Sequence, residues 1–65
     1  MIGQRPRWVD RIVPDAHFLF AELMMQPERR FLVMTDSQEY ADAVLKMLEG
    51  MYPGASERIT FQVRP

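Results

Sequence analysis

The second half of the chain constrains its fold most, because it carries the signals of a strand, a helix and another strand in succession. The first strand is the apolar run Phe31–Met34, and the last is Ile59–Val63, in which apolar residues alternate with Thr60 and Gln62. Alternation with period two predicts a strand with one buried face and one solvated face. Phe31–Met34 is apolar at every position, which is typical of a strand that is covered on both faces or lies centrally in its sheet.

The segment between these strands combines a helix start with an amphipathic pattern. We expect Asp36 to cap the first backbone N–H groups, while Glu39, three residues later, reaches back to the cap. At about 100° per residue, eight apolar side chains of this segment fill one arc of roughly 160°. They are Tyr40, Ala41, Val44, Leu45, Met47, Leu48, Met51 and Tyr52. The helix is predicted to end near Met51, before a stretch that contains proline and glycine. The charged residues on its other side include Asp42, Lys46 and Glu49.

The chain length limits how much core the fold can bury. A single domain of 65 residues buries only about 60% of the surface that its unfolded chain exposes. The sequence has no cysteine, so neither a disulfide nor a cysteine-bound metal can add stability. We therefore expect burial against another chain to supplement the core. Within the domain, residues 1–14 are predicted as an N-terminal arm or short helix and residues 15–65 as the compact part.

The stretch from Asp15 to Gln26 decides the architecture and can be interpreted in two ways. Its strong helix formers and the following Pro27 favour a helix. The run from His17 to Met25 also fits a strand that turns at residues 26–29 and returns along Arg30 to Thr35 as a hairpin. We expect the hairpin, because a helix would have to reverse into the next strand through only about four residues. A third strand would also complete a sheet that is otherwise too small.

The predicted fold is therefore α+β, a small single-layer antiparallel or mixed sheet with one long helix packed on one face. The expected order is β-β-α-β after the N-terminal arm or short helix, and the alternative is α-β-α-β. The predicted core includes the inward half of Phe18–Met25. Its other members are Phe31, Val33, Tyr40, Ala41, Val44, Leu48, Met51, Ile59, Phe61 and Val63.

The side chains that carry catalysis and metal binding are scarce. His17 is the only histidine, so a metal site with two histidines cannot form. Ser37 belongs to the predicted helix start and Ser56 to a loop, and neither has a base beside it in the sequence. Asp42 and Glu49 share a helical face with a lysine, which is typical of a solvated surface. We therefore predict a non-enzymatic protein with no catalytic, cofactor-binding or metal-binding residues.

The N-terminal region suggests nucleic-acid binding as an alternative function. Arg5, Arg7 and Arg11 surround Trp8, and arginines beside a stacking aromatic can hold a single-stranded backbone and its bases. The net charge is −1 and the pI is about 5.7, whereas dedicated nucleic-acid binders are usually strongly basic. We therefore rank single-stranded nucleic acid below a protein partner.

Protein–protein interaction is the function that we expect. The last strand is a candidate exposed edge that can pair with a partner or with a copy of itself, giving a homodimer. Met24 and Met25 are adjacent, so on a strand they could not both face inward. The predicted partner-binding residues are Met24, Met25, Asp42, Lys46, Glu49, Thr60, Gln62 and Arg64.

The expected location is the cytoplasm, without contact to a membrane. No stretch approaches the roughly 20 apolar residues that span a bilayer, and the start of the chain lacks the apolar segment of a secretory signal. In size and charge the chain resembles the small accessory proteins of phages and mobile elements, which often bind and block a host protein. This resemblance rests on no motif, and it implies a regulatory or accessory role.

Overall fold

The computed structural model describes residues 7–64, with Arg7 described by its backbone alone. In this segment the helices and strands follow the order α-β-α-β. The elements are a 3₁₀ turn (Arg7–Arg11), α1 (Ile12–Met25), β1 (Phe31–Thr35), α2 (Gln38–Met51), a second 3₁₀ turn (Ala55–Glu57) and β2 (Ile59–Val63).

The predicted antiparallel or mixed sheet with β-β-α-β order is wrong, because the segment expected as the first strand lies in α1. The described part of the chain forms a two-stranded sheet in which β1 and β2 are parallel. Parallel strands require a crossover of a dozen or more residues, and α2 supplies it with 14 residues. The register pairs Phe31 with Ile59 and Thr35 with Val63.

The loop from α1 to β1 shows why a short connection does not require a hairpin. The predicted turn is present, because the Arg29 N–H donates to the Gln26 carbonyl oxygen at 3.1 Å, but the turn follows a helix. The guanidinium of Arg58, at the start of β2, donates to the carbonyl oxygen of Leu23 at 3.1 Å and also to that of Gln26. A residue distant in sequence thus satisfies carbonyl groups that the end of a helix leaves free.

The start of α1 includes a proline without a break in the helix. Pro14 is the third residue of α1, and its missing N–H removes no helical hydrogen bond in the first turn. The 3₁₀ turn Arg7–Arg11 leads directly into Ile12. Residues 12–25 therefore form one continuous helix across the position where the compact part was predicted to begin.

The strand-helix-strand prediction for the second half is confirmed, including the end of α2 at Met51. The predicted cap is wrong by one residue. Ser37 is the N-cap of α2, and its hydroxyl oxygen accepts from the Tyr40 N–H at 3.1 Å. Beyond the helix, Gly54 has a φ of 92°, a left-handed conformation that glycine adopts without steric cost.

The core lies where both helices pack on the same face of the sheet. Its buried members come from α1, α2, the second 3₁₀ turn and β2, and they are Ala16, Leu19, Leu23, Val44, Leu48, Ala55 and Ile59. Ala41 is also buried, as predicted. The predicted core residues that are half-buried are Phe31, Val33, Tyr40, Met51, Phe61 and Val63.

The two faces of the sheet differ sharply in their cover. Phe31 and Val33 of β1 pack against the helices, whereas Leu32 and Met34 are 61% and 52% exposed. The expectation that β1 is covered on both faces is therefore wrong. Because side chains alternate along a strand, the apolar residues at even positions lie on an open face.

Candidate functional site

An apolar groove of about 430 Å³ lies between α1 and β1. We call it the α1–β1 groove, and the residues of its lining that matter here are Phe18, Leu19, Leu32, Val33, Met34 and Tyr40. Among the described residues, none from β2 lines it. The groove therefore follows the side of β1 that β2 does not occupy.

The backbone of β1 along this groove has unpaired hydrogen-bonding groups. The Phe31 N–H donates to the Arg58 carbonyl oxygen at 2.7 Å, and the Thr35 carbonyl oxygen accepts from the Arg64 N–H at 2.8 Å. Alternate residues of a strand bond to a given neighbour, so the peptide groups of Leu32 and Met34 point away from β2. Within residues 7–64 no backbone partner meets them. β1 therefore presents a free edge to the groove.

Apolar side chains on α1 extend this surface. Phe18 is 63% exposed and Met25 is 76% exposed. At about 100° per residue, positions 18, 21 and 25 lie within an arc of roughly 60° on the helix, and position 21 is an exposed alanine. A helix that is apolar on its outer face as well as on its core face is normally buried on both. Phe18 shares the groove with Leu32 and Met34, and adjoining exposed apolar side chains of this kind mark an interaction site.

A polar network closes one end of the groove. The Tyr40 hydroxyl donates to the carboxylate of Asp15, which also lies 3.5 Å from the Nε atom of Arg11. Burial raises the pKa of Tyr40 to about 12, and the hydrogen bond to Asp15 adds to this effect. The Tyr40 ring meets the rings of Trp8 and Phe61 edge-on, at centroid distances of 6.3 and 6.5 Å. This end of the groove is therefore held by contacts among α1, α2, β2 and the first 3₁₀ turn.

A second, more polar depression lies beside the carboxyl ends of the strands, where open α/β sheets commonly bind ligands. We call it the carboxyl-end cleft. It consists of two adjoining depressions that share Arg11, Met34, Thr35 and Asp36, and its lining also includes Trp8, Val33, Tyr40 and Arg64. Arginines from the first 3₁₀ turn and from the end of β2 thus lie around one cleft, together with an exposed acid, Asp36.

The residues predicted for nucleic-acid binding are only partly covered by the structure. Trp8 and Arg11 both line the carboxyl-end cleft. The Trp8 ring is half-buried, and its contact with Tyr40 leaves less of the indole free for stacking. Arg5 lies outside the described residues, and only the backbone of Arg7 is described.

The residues predicted for protein binding lie on separate surfaces. Because α2 packs on one face of the sheet, its exposed side and the open sheet face point in opposite directions. The positions are α1 for Met24 and Met25, the exposed side of α2 for Asp42 and Lys46, the open sheet face for Thr60 and Gln62, and the end of β2 for Arg64. Of these, the two methionines are on the helix that borders the α1–β1 groove.

Glu49 has a role within the chain that its position in the sequence does not indicate. Its carboxylate accepts from the Ser56 N–H at 2.6 Å and from the Gly54 N–H at 3.1 Å. These two bonds, the one from Ser56 first, lower the pKa of Glu49 below its ordinary value. The carboxylate thus fixes the loop that leads from α2 to β2.

The acidic side chains and the histidine of the described segment are spread over its surface rather than grouped. Across residues 7–64, no three acidic or histidine side chains are grouped so that they could hold a metal ion. The Nδ1 atom of His17 lies 2.9 Å from the Val13 carbonyl oxygen of its own helix. Neither α1 nor α2 is long and apolar enough to cross a bilayer.

Phe18, Leu32 and Met34, the most prominent residues of the α1–β1 groove, are absent from the predicted contact residues. The signal that could have found two of them is the apolar run of β1, which has more apolar side chains than one covered face requires. Comparison with protein-family models, with curated proteins and with solved structures finds no match to this chain. Its function is therefore argued from the groove and the cleft themselves.

Proposed function

We propose that this protein is a non-enzymatic protein-interaction module that binds an extended segment of a partner protein along the free edge of β1. The observation that carries this proposal is the coincidence of two features at one place. The unpaired peptide groups of Leu32 and Met34 lie beside an apolar groove whose other wall is α1. An added strand would pair with these peptide groups and fill the groove.

The backbone of β1 supplies the part of the binding energy that does not depend on the partner's sequence. The N–H and carbonyl groups of Leu32 and Met34 can pair with an incoming strand as they would in a larger sheet. Each net hydrogen bond contributes about 0.5–1.5 kcal/mol. Four such groups would position the segment but would not select it.

The apolar side chains supply selectivity, because alternate residues of an added strand point to the same face. Phe18, Leu32 and Met34 are each more than half exposed. Covering the exposed part of each should contribute about 1 kcal/mol or more. The preferred partner segment is therefore extended, with apolar residues at alternate positions.

Binding to a partner gives the protein an accessory role, as an activator or as an inhibitor of that partner. We place it in the cytoplasm, which a chain without cysteine suits because disulfide formation is disfavoured there.

Selection of displayed random peptides long enough to span β1 tests this function. We expect the selected peptides to be apolar at alternate positions and to slow hydrogen exchange at the Leu32 and Met34 amides. Phe18→Lys and Leu32→Lys should each weaken their binding by about tenfold or more, since either change places a charge in the groove. Lys46→Glu, on the exposed side of α2, is the matched control and should leave binding unchanged. If the peptides bound Leu32→Lys as tightly as the unmodified protein, this function would be contradicted. Slower hydrogen exchange at amides other than those of Leu32 and Met34 alone would also contradict it.

The carboxyl-end cleft supports a second candidate, binding of single-stranded nucleic acid. Trp8, Arg11 and Arg64 line this region, and arginines with an aromatic ring can contact phosphates and bases. Titration with oligothymidine at two salt concentrations tests it, and we expect binding that weakens with salt and with Arg11→Ala. Absence of salt-sensitive binding would exclude this function.

A further inference from the structure

The residues that flank β1 carry opposite charges, with Arg30 just before the strand and Asp36 just after it. Both are exposed, and both have the parity of Leu32 and Met34. We propose that the segment added at β1 is β1 of a second copy of this chain, antiparallel and centred on Val33. This deepens the proposed function and rests on it, since it requires strand addition at the same edge.

The backbone pattern of β1 suits such a two-fold arrangement. When two copies of Val33 face each other, Leu32 stands opposite Met34 of the second copy, and Met34 stands opposite its Leu32. In antiparallel sheets such a pair exchanges both N–H···O bonds when the peptide groups of the two residues face each other. The peptide groups of β1 that point away from β2 belong to Leu32 and Met34, so this arrangement pairs every one of them.

The flanking charges select this register. Centring on Val33 places Arg30 opposite Asp36 of the second copy, and two-fold symmetry creates the same contact twice. A shift that centres the pairing on Leu32 places Arg30 opposite an apolar Met34, and a shift to Met34 places Asp36 opposite Leu32. Opposite charges facing each other across a sheet are favourable, and the apolar pairs of Leu32 with Met34 lie between them.

The edge of β2 lacks this self-complementarity. An antiparallel pair of β2 strands centred on Phe61 places Arg58 opposite Arg64 of the second copy, and like charges directly opposite are unfavourable. The Arg58 guanidinium is also bonded to carbonyl oxygens of the loop after α1. Of the two free edges, β1 is therefore the one that fits a second copy, although the last strand was the edge predicted from the sequence.

The resulting assembly is a four-stranded sheet with the order β2-β1-β1-β2. Three or more strands with an apolar face make a stable sheet, whereas two strands alone are marginal. The two α1 helices would flank the new strand pair, which brings Phe18 of each copy beside the added strand. The exposed part of Phe18 would therefore be buried in the dimer, whereas it is open to solvent in a single chain.

Charge reversal at Arg30 and Asp36 tests the arrangement directly. By sedimentation across a dilution series, we expect the unmodified protein to dimerise and Arg30→Asp or Asp36→Arg alone to dimerise about tenfold more weakly, since each creates two like-charge pairs. An equimolar mixture of these two variants should restore the dimer, because every pair in the mixed dimer is again opposite in charge. Added salt should reduce the differences between the variants.

Two controls separate this arrangement from other modes of association. Lys46→Glu, on the exposed side of α2, should leave the β1 dimer unchanged, whereas it should alter a dimer formed through that side of α2. The Leu32 and Met34 amides should exchange more slowly with solvent as the protein concentration rises. Weakening by both single variants without recovery in their mixture would overturn the Val33-centred pairing.

The outcome also distinguishes this inference from the proposed function. A protein that stays monomeric at every concentration, yet binds selected peptides at the Leu32 and Met34 amides, would overturn the homodimer and retain strand addition. Absence of both dimerisation and peptide binding would overturn both.

Discussion

At the start of β2, the guanidinium of Arg58 reaches the loop that follows α1. Besides the carbonyl oxygens of Leu23 and Gln26, it donates to the Arg29 carbonyl oxygen at 2.9 Å and to the Tyr52 hydroxyl at 3.0 Å. A planar guanidinium can serve several acceptors at once, which the ammonium group of lysine cannot do in the same geometry. This side chain therefore joins α1, its loop and β2.

We expect Arg58→Ala to lower the free energy of unfolding by about 2–3 kcal/mol, because it leaves carbonyl groups without donors. The stability of Arg58→Lys should lie between that of Arg58→Ala and that of the unmodified protein, since lysine keeps the charge but lacks the planar guanidinium. Urea unfolding measures both. Arg64→Ala, at an exposed position, should change stability by less than about 0.5 kcal/mol. Equal stabilities for Arg58→Ala and Arg64→Ala would show that the carbonyl contacts contribute little.

Tyr40 predicts a dependence of stability on alkaline pH. Its pKa in the folded protein is about 12 against an ordinary value of 10.0, so the folded state favours the neutral phenol. The resulting stabilisation is complete below pH 10.0 and is lost as the pH rises through about 12. The tyrosinate absorbance of the unmodified protein minus that of Tyr40→Phe should therefore have its midpoint near pH 12.

Asp15→Asn separates the causes of this shift. It removes the negative charge and keeps an oxygen acceptor, so the midpoint for Tyr40 should fall but stay above 10.0, since burial is the larger cause. A midpoint at 10.0 in the unmodified protein would contradict the contact between Tyr40 and Asp15. Unfolding measured at matched pH values should show Tyr40→Phe losing less stability than the unmodified protein between pH 10.0 and about 12.

At the scale of elements, β1, α2 and β2 could be predicted because their signals are local. The amphipathic pattern places Val44 and Leu48 in the core, and the alternation in β2 places Ile59 inward. The predicted N-cap, Asp36, is one residue before the observed one, Ser37, because both residue types favour a helix start. Side-chain geometry, which the sequence does not contain, selects Ser37.

α1 could not be assigned because its sequence is apolar on nearly all sides. Such a segment lacks the clear periodicity that separates a helix from a strand. Its residue types favour a helix, and the objection to the helix was the short reversal into β1. The Arg58 guanidinium makes this reversal possible by bonding to carbonyl oxygens at the end of α1, more than 25 residues away in the sequence. No local sequence pattern predicts such a contact.

The candidate site was predictable only in part for a related reason. The excess of apolar residues in β1 is visible in the sequence, but which face stays open depends on both helices packing on the same side of the sheet. At least one of Met24 and Met25 was expected to face outward from a strand, and both are exposed on a helix. The α1–β1 groove arises from the packing of α1 beside β1, and its wall residue Phe18 carries no sequence signal of exposure.

At the scale of the whole molecule, the small core and the exposed apolar surface are two aspects of one property. Folding of a chain this short leaves much apolar surface in water, and the exposed part is concentrated on α1 and β1 rather than scattered. Scattered apolar residues are normal on protein surfaces, whereas contiguous ones indicate contact with another molecule. Stability and binding should therefore be coupled in this protein.

Dimerisation through β1 predicts that thermal stability depends on protein concentration. Mass action stabilises a folded dimer against unfolded monomers as concentration rises. For a domain of this size, a hundredfold increase should raise the midpoint of thermal unfolding by roughly 5–10 °C. Asp36→Arg should show a smaller rise, whereas Lys46→Glu, on the exposed side of α2, should behave like the unmodified protein. Circular dichroism at several concentrations measures the midpoints, and a midpoint independent of concentration in the unmodified protein would show that its core is stable without a second copy.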